Sequence, residues 1–555
     1  MAAPSTADKT EPAKLIDQLD VCTLITDNDN NGAARIETTL KALLDLSSAP
    51  PDQVTLLRRG ILSEYISQLE RETSPSELNQ LLDLILHRIL SVPSGTGSDV
   101  ARATALEILR NLSRSKRMKQ TLFHAQGLVA MLTEVARNGT GKAFVEKELA
   151  IQIVNNLGCD TQIAVNLCQI SMLVDELMVC AQSGETPLVR EWAVRSINNM
   201  AFAEENQRSL FARPGLITML ISSAMEGETD GIREWCIAAL DNLCVPDLHK
   251  VAACLLPDFV DSLVSAATCE GAQESRWALR KTGMKALNNL GALSQAAPIL
   301  FVELQRNDQL ERLLRAHRFS VRDDGTFPVT DQVMGFREAF QGLMLGLSCP
   351  PSNHQDMFNK AGLVDILVSR ILVGSAIEQE HCLGTLMNLA VTGVLRQPLY
   401  KREHLVETVV RAIEAPRSVR VREHGVGLLG NLALDMMNAR MLVKQSRVLF
   451  VLVEGVLQFT GPRVSPELEL DDEEELVLHE DPSHGSRVLC DWSRQLLWTL
   501  GYRHADFPAV VQQILVLASA YDIPRLSRAS LFRRMIPKEM VREIAVRLLP
   551  LHTGI

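Results

Sequence analysis

The sequence predicts an all-α protein, a right-handed α-solenoid of stacked three-helix repeats. Three observations predict it. The stretch "REWAVRSINNMA" from Arg190 returns 43 residues later as "REWCIAALDNLC" from Arg233. An Asn near the end of each copy recurs at a similar interval along most of the chain. Apolar residues make up 46% of the sequence but aromatics only 4%, so the core is aliphatic, as helix-on-helix stacking prefers.

The long helix that carries the Asn comes first. Ala193/Ile197/Met200 and Ile237/Leu240/Leu243 recur at helical spacing, which makes both copies amphipathic. Asn111 in "LRNLS", Asn156 in "VNNLG", Asn199 in "INNMA", Asn242 in "LDNLC", Asn289 in "LNNLG", Asn388 in "LMNLA" and Asn431 in "LGNLA" mark seven copies, with successive gaps of 45, 43, 43, 47, 99 and 43. The gap of 99 divides at "LGLS", where Gly346 holds the Asn position, and a weaker copy, "LWTLG", puts Thr499 there.

Each marked helix follows an apolar one of the type "GLVAMLTEV" from Gly127, "GLITMLISSA" from Gly215 or "GLVDILVSRIL" from Gly362. Before that stands a shorter segment such as "ENQRSLFARP" or "NHQDMFNKA". Such a unit cannot bury its apolar face alone and must stack on its neighbours. A solenoid grows without a new core, so 555 residues are compatible with one continuous array over residues 31–460.

The remaining segments are read from what interrupts the period. The span from Asn289 to Gly346 exceeds 43 by 14, and the surplus falls at "HRFSVRDDGTFPVTD", a loop insertion near 317–330. The span from Asn431 to Thr499 exceeds it by 25, with nine acidic residues between Glu467 and Asp481 and no Lys or Arg. Residues 461–486 therefore read as an acidic, disordered insertion, and 487–555 as a degenerate capping repeat. The first 30 residues, opening "MAAPSTADKTEPAKL", are polar and read as a disordered leader. No uninterrupted apolar run reaches the roughly 18 residues of a membrane span. Eleven cysteines without a CxxC pair look like free thiols of a reducing compartment, so the expected location is the cytoplasm, with access to the nucleus open.

The "NLA"-type ends, the "GLVxxL" second helices and the period of about 43 together resemble armadillo repeats, from about residue 85 to 460. In that family the Asn of the third helix lines a concave groove and hydrogen-bonds the main chain of an extended peptide. The resemblance implies that Asn111, Asn156, Asn199, Asn242, Asn289, Asn388 and Asn431 form this ladder; an Asn amide, donor and acceptor at once, can pair with both groups of a peptide unit. The alternative is that these amides satisfy carbonyls at helix ends. Locally, "TPLVREWAVRSINNM" looks like a segment of the ataxin-ten family. Length and acidity are similar to the all-armadillo guanine nucleotide dissociation stimulator of small GTPases. The importin-alpha type shares the Asn array, but its Trp four residues before each Asn is replaced here by Glu107, Gln152, Arg195, Ala238, Lys285, Gly384 and Gly427.

Residues four and seven before each Asn share its face of the helix. The seventh-before positions are Thr104, Leu149, Trp192, Trp235, Thr282, His381 and His424. Trp192, Arg195, Trp235, Lys285, His381 and His424 thus join the seven Asn residues as the candidate partner-binding groove. The tryptophans read equally well as partner anchors and as buried packing.

Signs of catalysis are lacking in the sequence. In "RNGTGKA" Ala136 and Ala143 stand where a phosphate loop needs Gly and Ser/Thr, so the stretch reads as a turn between helices. There is no HExxH, no GxSxG and no His/Cys pair at ligand spacing; His479 and His484 sit in the acidic stretch. With a net charge of −11 and only short basic clusters, a nucleic-acid face is not expected. The expectation is a non-enzymatic scaffold or adaptor without metal or cofactor that binds a protein segment in its groove, the alternative being a regulator or chaperone of a small GTPase with a basic tail.

Overall fold

The computed structural model describes residues 99–138, 144–321, 329–445, 447–449, 451–452 and 487–502. The expected leader, the acidic insertion, residues 503–555 of the expected cap and residues 139–143 lie outside them. Every regular element among the described residues is helical. The chain divides into two compact units, one ending at Pro246 and the other beginning at Asp247, where the sequence suggests one array. The boundary falls in the turn between two repeats.

In the first unit α1 (Asp99–Leu112) is followed by three triplets. These are α2 (Lys116–His124), α3 (Leu128–Asn138) and α4 (Phe144–Gly158); α5 (Thr161–Gln169), α6 (Ser171–Ser183) and α7 (Pro187–Phe202); and α8 (Glu204–Phe211), α9 (Leu216–Glu226) and α10 (Asp230–Leu243). Third helices stack on third helices in the order α1, α4, α7, α10, while the second helices α3, α6 and α9 form a parallel layer.

The second unit has four described triplets. They are α11 (Asp247–Leu255), α12 (Phe259–Ala267) and α13 (Glu274–Gly291); α14 (Ala297–Gln305), α15 (Gln309–Ser320) and α16 (Asp331–Leu347); α17 (His354–Asn359), α18 (Leu363–Val373) and α19 (Ala376–Val391); and α20 (Arg396–Tyr400), α21 (Leu405–Glu414) and α22 (Val419–Ala433). Then come α23 (Met436–Val443) and α24 (Arg487–Tyr502), and the third-helix layer runs α13, α16, α19, α22, α24.

Local chemistry sets the helix ends. Thr186, Thr229, Thr330, Ser375 and Ser418 each accept a backbone N–H of the third helix they precede, and Ser375 forms a full capping box with Glu378. Gly127, Gly215 and Gly362, which open the "GL" second helices, have φ of +83°, +78° and +76°, a left-handed turn that glycine adopts at least cost. Apolar faces close the stack: Ile197, Leu240, Leu287 and Leu386 are wholly buried.

One expected boundary needs correction. α15 continues through Ser320, so the first residues of the loop placed at 317–330 are helical, and His317 is fully buried. The buried face begun by Leu310, Leu313 and Leu314 continues through His317 and Ser320, so the helix ends only at the polar "VRDDG".

A polar register runs between repeats, and the sequence reading missed it. Nine residues before six of the markers, from Asn111 to Gly346, stand Arg102, Lys147, Arg190, Arg233, Arg280 and Arg337, while Gln379 holds that place before Asn388 and Arg422 before Asn431. Arg190 donates to the Gly184 carbonyl, Arg233 Nε to that of Ala224 at 2.9 Å, Arg280 Nε to that of Cys269 at 2.6 Å, and Arg337 to that of Ser320. In this way a cation closes the negative C-terminal end of the second helix in its own repeat. In the first unit the same column also bridges repeats, through Arg102–Glu146 at 2.9 Å, Lys147–Glu185 at 3.2 Å and Arg190–Glu228 at 2.6 Å.

Candidate functional site

The seven marker Asn residues lie half-buried near the ends of the third helices, as their spacing requires. The Nδ2 of Asn156 donates to the Ser113 hydroxyl at 3.0 Å and the Arg110 carbonyl at 3.3 Å. Asn199 reaches the carbonyl and the side-chain oxygen of Asn155 at 3.0 and 3.1 Å, and Asn242 reaches Asn198 Oδ1 at 3.0 Å. Asn388 donates to the Ser348 hydroxyl at 3.0 Å and Asn431 to the Met387 carbonyl at 2.9 Å. Each of these five amides ties its third helix to the one before it. Asn111, on α1, instead accepts from the Arg110 side chain at 3.0 Å, and Asn289 sits half-buried near the end of α13.

The bonded atom is the nitrogen in all five cases, and no donor among the described residues reaches their Oδ1 atoms. One amide can therefore serve the stack through nitrogen and still offer an acceptor outward.

In the first unit Trp192, Arg195 and Trp235 converge. The Arg195 guanidinium lies 4.1 Å from the centre of the Trp192 ring and 4.8 Å from that of Trp235, so it is held between indoles of adjacent repeats. All three side chains are half-buried. Neither indole N–H has a partner among the described residues, and neither belongs to the buried unpaired atoms, so both reach solvent.

In the second unit Lys285 is exposed on α13, while His381 and His424 occupy successive repeats. His424 Nδ1 donates to the Glu380 carbonyl at 3.0 Å, and His381 bonds the Glu338 backbone. Burial lowers the pKa of His381, and its Nδ1 is enclosed without a partner.

A pattern recurs in three places: the fourth-before residue of one repeat faces the seventh-before residue of the next. It holds for Arg195 with Trp235, for Gly384 with His424, and for Gly427 with Trp492, where a Cβ on Gly384 would lie 3.3 Å from the imidazole and one on Gly427 2.9 Å from the indole. Gly384 and Gly427 have room for no side chain, because Leu345 at 2.9 Å and Met387 at 2.6 Å crowd an added Cβ together with the rings. Trp492 stands seven before Thr499, so the weakest marker was the signal that could have found it.

A second Asn row was also missed. Asn206, Asn353 and Asn438, seven residues after their markers, are buried and donate to the Met200, Leu347 and Leu432 carbonyls at 3.0, 2.9 and 3.2 Å.

The face offers stacking, hydrogen bonding and charge. Among the described residues no cluster of His, Cys, Asp or Glu is arranged to hold a metal. Burial pushes the Cys180 thiol up to about 11 and the Cys254 thiol up to about 12, and it raises Cys236 and Cys382 as well, so these sulfurs stay protonated and unreactive near neutrality. No single helix among the described residues is long and apolar enough to cross a membrane.

No protein-family model matches the chain, and no curated protein matches it. Solved structures do resemble it. An engineered protein from a structural genomics consortium aligns over 88% of this chain and 98% of its own, at 15% identity and a TM-score of 0.55. A structure from work on a conserved phosphorylation switch controlling the interaction between cadherin and beta-catenin aligns over 91% of this chain and 90% of its own, at 15% identity and a TM-score of 0.56. At that identity the likeness shows the fold alone, a stack of helices.

Proposed function

We propose that the chain is a non-enzymatic, protein-binding scaffold of the armadillo type, acting in the cytoplasm, whose third-helix face takes an extended segment of a partner. The observation that carries the reading is the Trp192–Arg195–Trp235 cluster beside Asn199 and Asn242. Rings and amides of adjacent repeats stand there half-exposed, with two indole N–H groups open to solvent. Half-buried tryptophans are the side chains from which a partner gains most. The cadherin and beta-catenin neighbour supports protein binding in general terms.

The test uses a partner captured by the immobilised chain and identified by mass spectrometry. Trp235→Ala, which leaves the amide bonds in place, should weaken that partner's binding at least about tenfold. Asn199→Ala with Asn242→Ala should both lower the melting temperature and weaken binding, because each amide contributes about 0.5–1.5 kcal/mol net through its hydrogen bonds. Unchanged affinity in both variants overturns the reading.

A second reading, regulation of a small GTPase with a basic tail, draws on Glu148, Glu191 and Glu234, which stand eight residues before successive markers on α4, α7 and α10. Capture of such a GTPase through its tail, with slowed capture after Glu→Gln changes in this row, would favour it.

A further inference from the structure

We infer that Arg195 is a specificity residue for a carboxylate, so that the segment bound on the first unit carries an Asp or Glu side chain opposite the Trp192–Trp235 clamp. This rests on the binding-face reading above. The other buried or half-buried arginines described in this unit have oxygen acceptors: Arg102 on Glu146, Arg110 on Asn111, Arg190 on Gly184 and Glu228, Arg213 on Ser171 and Asp175, and Arg233 on Ala224. Arg195 has none. Among the described residues its only partners are the two indole faces.

The geometry turns that lack into a function. The guanidinium carbon lies over both rings, 4.1 and 4.8 Å from their centres, and the N–H edge of its plane has no acceptor among the described residues. That edge is the fork that fits the two oxygens of a carboxylate. The rings also fix the side chain in advance, so little rotamer freedom is lost when the ligand arrives.

The nearest acid on the same helix face does not compete. Glu191, one turn before Arg195, lies against the backbone of Gly231 on α10, where an added Cβ would be 2.8 Å from its Oε2. Glu191 and Glu234 flank the clamp and disfavour a segment rich in acid. A single acidic side chain in a neutral or basic stretch meets the least repulsion there.

The experiment pans random dodecapeptides displayed on phage against the immobilised full chain, with Trp235→Ala as the counter-selection. The enriched sequences should share one Asp or Glu position. A synthetic peptide of that sequence should lose roughly ten- to hundred-fold in affinity when its acid becomes the amide, and by a similar factor on Arg195→Gln. Both changes together should cost no more than either alone, the sign of a direct pair. The melting curve of Arg195→Gln shows whether the stack survives the change.

Enriched peptides with Lys or Arg at the shared position overturn the carboxylate assignment. So does an acidic position whose loss costs as much on Arg195→Gln as on the parent. If such peptides still fail on Trp235→Ala, the binding face stands and only the carboxylate falls. If they bind Trp235→Ala normally, or if nothing is enriched over it, both readings fall.

Discussion

His317 shows what one buried side chain can impose. Its ring stacks on Phe340 with centres 4.4 Å apart, its Nε2 lies 3.2 Å from Gln341 Nε2, and its Nδ1 has no partner. Burial, with Arg370, Arg337 and Arg318 nearby, holds its pKa down at about 3. An unfolded imidazole titrates near 6.5, so below that pH the unfolded chain binds the proton and the folded one does not. The stability from a neutral His317 is thus fully present above pH ~6.5 and is lost as pH falls from there toward 3, by about 1.4 kcal/mol per unit. Denaturant melts at pH 7.5 and 5.5 should show this loss in the parent and a smaller one in His317→Leu; equal losses would rule it out. His354 and His381 are lowered by burial too, and all three belong to the second unit, which should therefore loosen first in acid. Sequence reasoning put His317 at the edge of a loop because the Asp-Asp-Gly that follows outweighed one further helical turn. The Asn ladder was legible as a column, but its direction was not. An amide states that it will pair, not with what.

At the scale of the helix, the residue before each second helix is the informative one. Gly127, Gly215 and Gly362 adopt the left-handed turn, and so do Asp258, Asp308 and His404 at the same place in other repeats, with φ between +54° and +58°. An L-residue costs about 1–2 kcal/mol there. Around Gly215 the nearest atom to an added Cβ is 3.8 Å away, so Gly215→Ala should destabilise the chain by that backbone cost alone. Asp258→Gly should change stability in the opposite direction and by less, because glycine also frees the unfolded chain. Equilibrium unfolding of the two variants checks the pair, and a neutral Gly215→Ala would refute the account. "GLVxxL" was readable where glycine is present and hidden where Asp or His stands in its place. The basic column of Arg190, Arg233, Arg280 and Arg337 was hidden for another reason: an arginine in a sequence suggests solvent, whereas these lie buried or half-buried against the carbonyl ends of their neighbours.

For the whole molecule, the period revealed helices, their order and their stacking, but not the division after Pro246, which falls where any two repeats meet and leaves no mark on the interval. Within each unit the described triplets pack mainly on the ones before and after them, so stability there is close to a sum of local terms. In the first unit the neighbours are also tied by Arg102–Glu146, Lys147–Glu185, Arg190–Glu228 and the Asn155–Asn199 and Asn198–Asn242 pairs. Those ties have a mechanical meaning. Tension applied to the two ends of this unit would load the rungs one after another, and each triplet that gives way would pay out its 43 or so residues, on the order of 150 Å of chain. Optical tweezers should record a sawtooth with that spacing at low force, and one long rip would show that the unit breaks as a block. A unit built this way would behave under load as an extensible damper: it would yield by steps, hold on through the rungs that remain, and rewind when the pull is released.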